Sequence, residues 1–180
     1  MRILFTGGGT GGHFFPILAL IRDLKRVAEA ERIVDLELFY MSPDEFGYDV
    51  IEQEGAIAVK ITSGKWRNYF SILNFLDVFR IAFGTWEALW NFFLIVPDVV
   101  FVKGGYGSLP AVIAAILFRV PMAVHESDAV PGKVNRFAAK HAKRIAISFD
   151  TAAQFFPPEK IALTGIPVRR SILGGRKDDA

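Results

Sequence analysis

Ile3-Leu4-Phe5-Thr6-Gly7-Gly8-Gly9-Thr10-Gly11-Gly12-His13-Phe14-Phe15-Pro16 decides how this chain is read. A short apolar run breaks into five glycines within six residues, a histidine closes the loop, and a proline opens a segment with helical spacing. The pattern is strand, loop, helix. Glycine has no Cβ, so the loop amides can approach an anion closely while the following helix adds its positive N-terminal end. As a bare pattern, Gly7, Gly9 and Gly12 also fit the Gly-x-Gly-x-x-Gly of a dinucleotide site, with Asp44 and Glu45 as the acidic ribose ligands. His13 points to different chemistry, because a titratable ring at a helix N-terminus beside an anion cradle is placed for proton transfer.

Outward from this stretch the chain alternates strand and helix. Ile17, Leu18, Leu20, Ile21, Leu24 and Val27 form the apolar stripe of a first helix, Leu36 to Met41 a second strand, Phe46 to Glu54 a short helix and Ala56 to Ile61 a third strand. Such alternation predicts an α/β fold with a parallel sheet and right-handed crossovers. Pro97-Asp98 leads into Val99 to Val102, a continuously apolar strand suited to the middle of that sheet. It ends in a second glycine loop, Lys103-Gly104-Gly105-Tyr106-Gly107-Ser108, before a helix that Leu109-Pro110 opens and that runs to about Phe118. Two such loops put two helix N-termini at the carboxyl edge of one sheet, where open α/β folds bind ligands. A strand from Pro121 to His125 delivers His125-Glu126-Ser127-Asp128 to the same edge, and Pro131-Gly132-Lys133-Val134-Asn135-Arg136 starts another helix. Strands at Ile145 to Phe149 and Ile161 to Leu163 complete the series, and Gly174 to Ala180 reads as a frayed end.

Between Ser63 and Pro97 the character changes. Lys65-Trp66-Arg67-Asn68-Tyr69-Phe70 interleaves cations with aromatics, and Ile72, Leu76, Phe79, Phe83, Trp86, Trp90 and Phe93 then recur at intervals of four and three. The spacing predicts one long helix with this main stripe packed on the sheet. A second set, Phe75, Val78, Ala82, Leu89 and Phe92, widens the apolar sector beyond what a sheet face needs. With its basic and aromatic flank, the region suits a lipid headgroup layer, Lys65, Trp66, Arg67, Tyr69 and Phe70 forming the membrane contact. Asp77, Arg80 and Glu87 interrupt it too often for a bilayer span.

Length and composition fit these readings. At 180 residues the chain is sized for one domain with a real core. The absence of cysteine excludes disulfides and thiolate metal sites and suits a reducing, cytoplasmic setting, and no secretory signal precedes the first strand. Net charge is only +2, but hydrophobic residues reach 52% and Phe occurs 17 times, which implies apolar surface outside the core.

Taken together, Gly8-Gly9-Thr10-Gly11-Gly12-His13 with Pro16, Pro97-Asp98-Val99-Val100, Gly104-Gly105-Tyr106 with Ser108 and Pro110, His125-Glu126, Gly132 with Asn135, and Pro167-Val168-Arg169 resemble the MurG family over nearly the whole chain. That family adds N-acetylglucosamine to the lipid-linked muramyl-peptide of bacterial peptidoglycan. The resemblance implies the N-terminal half of a GT-B glycosyltransferase: an acceptor-binding and membrane-docking domain over residues 1–165, the start of an interdomain hinge over 166–180, and a donor domain outside the chain. Its implied partners are UDP-N-acetylglucosamine, undecaprenyl-diphosphate-linked muramyl-peptide and an anionic membrane surface, with no nucleic acid, and its implied location is the cytoplasmic face of the cell membrane. Carried over, Thr10, Gly11 and Gly12 touch the donor, Arg169 contacts the nucleotide, and His13 is the base. Tyr106, His125, Glu126 and Asn135 match further functional positions, His125 and Glu126 joining His13 as catalytic candidates and Gly104, Gly105 and Ser108 joining the substrate contacts. Asp128 and Ile166 stand where better-known members carry asparagines, the first of which bonds the donor sugar; a carboxylate can still accept from hydroxyls.

The residues and the resemblance agree on the chemistry. Inverting transfer needs a base for the acceptor hydroxyl and fixed positive potential for the leaving diphosphate. No Asp-x-Asp pair ends a strand, so neither metal nor cofactor is expected. Two other classes stay open on sequence alone: a non-catalytic, membrane-docked half of a split glycosyltransferase, and a nicotinamide-dependent oxidoreductase.

Overall fold

The computed structural model describes residues 1–8, 11–64 and 72–168, the last stretch with side chains from residue 77 onward. Seven strands form one sheet: β1 (Arg2–Gly7), β2 (Glu37–Ser42), β3 (Ile57–Lys60), β4 (Val99–Gly104), β5 (Met122–Glu126), β6 (Arg144–Ile147) and β7 (Ile161–Leu163). Their order is β3-β2-β1-β4-β5-β6-β7 and every pairing is parallel, as the alternation predicts. The intervening helices are α1 (Gly11–Ala30), α2 (Tyr48–Gln53), α3 (Ile72–Ile95), α4 (Leu109–Leu117) and α5 (Lys133–His141).

Period-two alternation divides the core between the two faces of the sheet. Ile3, Phe5, Leu38 and Tyr40 pack on one face against Phe14, Ile17 and Ile21 of α1 and Ile51 of α2. Leu4, Met41, Val100, Val102 and Val124 pack on the other against α3, α4 and α5. The chain reverses its winding between β1 and β4, and there the register brings Gly7 opposite Gly104. The two glycine loops therefore leave the sheet side by side at its topological switch point.

Two local expectations change. Helix α1 starts at Gly11 rather than at Pro16, so His13 lies in its first turn. Pro16 sits inside the helix, where its missing N–H forgoes only the bond to the Gly12 carbonyl. The larger correction concerns α3. Phe79, Phe83, Trp86, Trp90 and Phe93, assigned by their spacing to the sheet, are 55–64% exposed. The buried face is instead Asp77, Gly84, Ala88, Phe92 and Ile95, with Ile81 and Leu89 partly covered. The cause is a backbone contact: a Cβ on Gly84 would lie 1.7 Å from the Thr62 carbonyl oxygen, so the helix seats Gly84 and Ala88 at this approach and turns both of its tryptophans outward. The Thr62 amide donates to the Glu87 carboxylate beside this contact. Of the second apolar set, Val78 and Ala82 are also exposed, while Phe92 is buried at 1%. Lys65, Trp66, Arg67, Tyr69 and Phe70 lie outside the described residues, as do the side chains of Ile72, Phe75 and Leu76.

Candidate functional site

At the carboxyl edge of β1, β4 and β5, an open cleft of about 820 Å³ is lined by Gly11, Gly12, Phe15, Pro16, Ser127, Asp128 and Phe149, with Ile166 to Val168 along one side. The first glycine loop and the loop after β5 thus meet at one cavity. Gly11, Gly12 and Asp128 reach the ligand space directly. Thr10 and Arg169 lie outside the described residues.

The second loop does something else. Gly104 (φ 96°) and Gly105 (φ 83°) both adopt backbone that side chains disfavour. A Cβ on Gly104 would come within 2.5 Å of Asn135 Oδ1, and one on Gly105 within 2.2 Å of the Gly8 carbonyl and 3.0 Å of His13 Nε2. The loop is pressed onto the first loop and onto the His13 ring. Ser108, fully buried, spends its hydroxyl on the Gly105 carbonyl at 2.8 Å, and the Tyr106 carbonyl accepts from Ser63 Oγ at 2.9 Å. Burial first, and then the Asp44 carboxylate, raise the Tyr106 phenol above its ordinary value.

Behind the cleft lies a polar layer centred on the Glu126 carboxylate. The Glu126 carboxylate accepts from the Asp128 amide (2.9 Å), the Gly132 amide (3.2 Å) and Asn135 Nδ2 (2.9 Å), so it holds the loop that carries Ser127 and Asp128. Asn135, 4% exposed, also donates weakly to the His125 carbonyl. His125 shares an Nε2 hydrogen bond with the Gly165 carbonyl at 3.0 Å and stacks on Phe101, which ties β5 to the segment that follows β7. Burial holds its imidazole below the ordinary range, and the Gly165 carbonyl opposes that shift.

His13 shares with His125 a buried Nδ1 that has no hydrogen-bond partner, but it lies in the first turn of α1 and is pressed against the second glycine loop. Burial lowers its pKa, the Lys103 ammonium lowers it further, and Asp128, Glu126 and the Lys103 backbone act in opposition. A ring kept neutral in this way at pH 7 is a proton acceptor. Sequence pattern alone does not single out Lys103, which it places at the start of the second loop. The residue lies within β4, next to its last residue, with 2% exposure, and donates from Nζ to Ser127 Oγ. A lysine closing a four-residue apolar strand run just before Gly-Gly is the nearest signal of it.

Residues 3–147 match the glycosyltransferase family 28 N-terminal domain. The chain belongs to this family. Over 177 residues it is 38% identical to the UDP-N-acetylglucosamine--N-acetylmuramyl-(pentapeptide) pyrophosphoryl-undecaprenol N-acetylglucosamine transferase of Clostridium botulinum, and 40% identical to the Bacillus cereus protein of the same name numbered 2. Each alignment covers 98% of this chain and 48% or 49% of the relative, so the chain spans about half the length of the curated relatives it matches. Among solved structures, Acinetobacter baumannii MurG superposes with a TM-score of 0.72 at 24% identity, covering 91% of this chain and 45% of that one. Staphylococcus aureus MnaA, solved with UDP, superposes at 0.67 and 15% identity, covering 100% of this chain and 48% of that one. These likenesses bear out the Rossmann-like α/β architecture, with a parallel sheet and helices on both faces. Family membership also sets the oxidoreductase reading aside, and Glu45, one of its two ribose ligands, is paired with Lys60 at the surface.

Proposed function

We propose that this chain is the acceptor-binding, membrane-docking half of an inverting glycosyltransferase that passes N-acetylglucosamine from UDP-N-acetylglucosamine to an undecaprenyl-diphosphate-linked muramyl-peptide at the cytoplasmic face of the bacterial membrane. The reading is supported first by relatives named for that donor and acceptor. The observation that carries it is the placing of His13: an imidazole whose pKa is lowered by burial, set in the first turn of α1 between two glycine loops, beside a cleft that Gly11, Gly12 and Asp128 line.

The chemistry then runs through this chain's own groups. The acceptor hydroxyl gives its proton to His13 as its oxygen bonds to the sugar's anomeric carbon. On the opposite side the bond from that carbon to the diphosphate breaks, and UDP departs with the electron pair. The positive end of α1 faces the cleft, where it favours the developing anion. Glu126 and Asn135 serve by holding the Ser127–Asp128 loop in place, and Asp128 accepts from sugar hydroxyls. Residues 1–165 form the domain, and the segment from Ile166, which runs along the cleft to Val168, begins the hinge to the donor half.

Docking rests on α3. Its exposed Phe79, Phe83, Trp86, Trp90 and Phe93, continued by Leu94 and Val96, form an apolar strip of a kind that marks an interaction surface. Among the described residues, no helix is long and apolar enough to cross a membrane.

The deciding experiment uses the two-domain enzyme. His13→Ala should lower turnover on the order of a hundredfold while leaving donor affinity nearly unchanged; wild-type turnover in that variant removes His13 from the mechanism. For docking, Trp86→Ala with Trp90→Ala should weaken sedimentation with anionic phospholipid vesicles, and unchanged sedimentation would assign the strip to another partner.

A further inference from the structure

A lysine that is 2% exposed, inside a site whose other charges are carboxylates held by backbone amides or facing the cleft, calls for a physical reason. Burying an ammonium is costly unless nearby groups compensate. Among the described residues, the one hydrogen bond from Lys103 Nζ goes to Ser127 Oγ, a residue that lines the cleft. The Lys103 stem runs beside His13: a Cβ on Gly7, between them, would lie 3.2 Å from Lys103 Cβ and 3.5 Å from His13 Cβ. The titratable groups that act on His13 are Lys103 from β4 and Glu126 and Asp128 from the end of β5. Those acting on Lys103 are the same two carboxylates.

We propose that Lys103 is a positioning residue for the transfer reaction: its buried ammonium pins Ser127 at the cleft wall and balances the charges of Glu126 and Asp128 around His13. Ser127 and Asp128 share the loop after β5 while His13 lies in α1, and Lys103 donates to Ser127 and acts electrostatically with both Asp128 and His13. Without it, His13 would face two carboxylates and no cation, with burial alone opposing protonation, so the ring would hold its proton to higher pH and act less well as a base. With it, the carboxylate at position 128 is offset from beneath and can accept from a sugar hydroxyl without repelling a neighbouring diphosphate. Lys103 itself touches no substrate. The inference rests on the reading of His13 as the base, and the two can fail separately.

The chain has only three histidines, so each ring can be followed by nitrogen-detected NMR titration of the 180-residue chain. Lys103→Met should raise the His13 pKa by on the order of one unit, a tenfold change in its protonation equilibrium. Lys103→Arg, which keeps the charge, should restore most of the wild-type value. Asp128→Asn should move His13 the other way, to lower pKa, and because position 128 is exposed this variant tests the charge balance even if Lys103→Met does not fold. In the two-domain enzyme, the acid limb of the kcat/KM profile should move to higher pH in Lys103→Met with donor KM little changed. A His13 titration that neither Lys103→Met nor Asp128→Asn displaces overturns the proposal. Undiminished turnover in His13→Ala overturns the base assignment instead, leaving the titration shifts in place.

Discussion

The two glycine loops leave adjacent strands at paired residues, Gly7 and Gly104, yet they serve opposite ends. The first feeds directly into α1 and turns Gly11 and Gly12 to the cleft. The second folds back into a 3-10 turn, both of its leading glycines at positive φ, and packs against Gly8, His13 and Asn135. One loop lines the cleft and the other packs against His13. Glycine-rich sequence alone does not separate the two uses, because an amide that must approach a phosphate and one that must approach a neighbouring loop both require the missing Cβ.

The comparison breaks first at Gly105. Gly105→Ala places a side chain at φ 83°, ψ 162° and against the Gly8 carbonyl, so it should cost about 3 kcal/mol or more in chemical denaturation. A loss under about 1 kcal/mol would mean that the second loop is not the rigid support described.

Two histidines test the support from another side. Burial lowers the pKa of both His13 and His125 below 6.5, so the folded chain resists protonation where the unfolded chain accepts it. Their contribution to stability is therefore fully present above about pH 6.5 and is lost as pH falls below that value. Thermal midpoints should be lower at about pH 5.5 than at about pH 7.5, and His125→Gln should flatten the difference; an equal slope in the variant would remove His125 from the effect.

Ser108→Ala deletes a buried hydroxyl bond within the second loop and should cost about 1 kcal/mol, read in the same denaturation series. Gly11→Ala marks the lower limit. Its new methyl would meet only the Phe15 ring, at 3.5 Å, so stability should stay within about 0.5 kcal/mol. Turnover of the two-domain enzyme should nonetheless fall, since the methyl projects into the ligand space. The reverse pattern, a stability loss with normal turnover, would exchange the roles of the loops.

What the sequence discloses follows from locality. Strands with alternating or continuous apolar runs, the two loops, and the arrival of His13 and His125 to Asp128 at one edge are written in short stretches of chain. The roles of Glu126 and Asn135 are not, because their bond joins a strand end to a helix nine residues later and depends on the angle between them. Lys103 escapes for a related reason: its partner Ser127 is 24 residues away. Helix α3 misleads more deeply. Both of its faces keep helical spacing, and the rule that the more hydrophobic face turns inward fails when the inward face must touch backbone.

That last contact at Gly84 also governs a much larger object. A helix of 24 residues is a rod roughly 36 Å long, and all its side chains rotate together, so the bearing of five aromatic rings is set where one missing methyl lets the rod rest on Thr62. Any residue larger than glycine at position 84 would lift or roll the rod, and the aromatic strip proposed to dock on a membrane would turn to a new bearing with every ring still present.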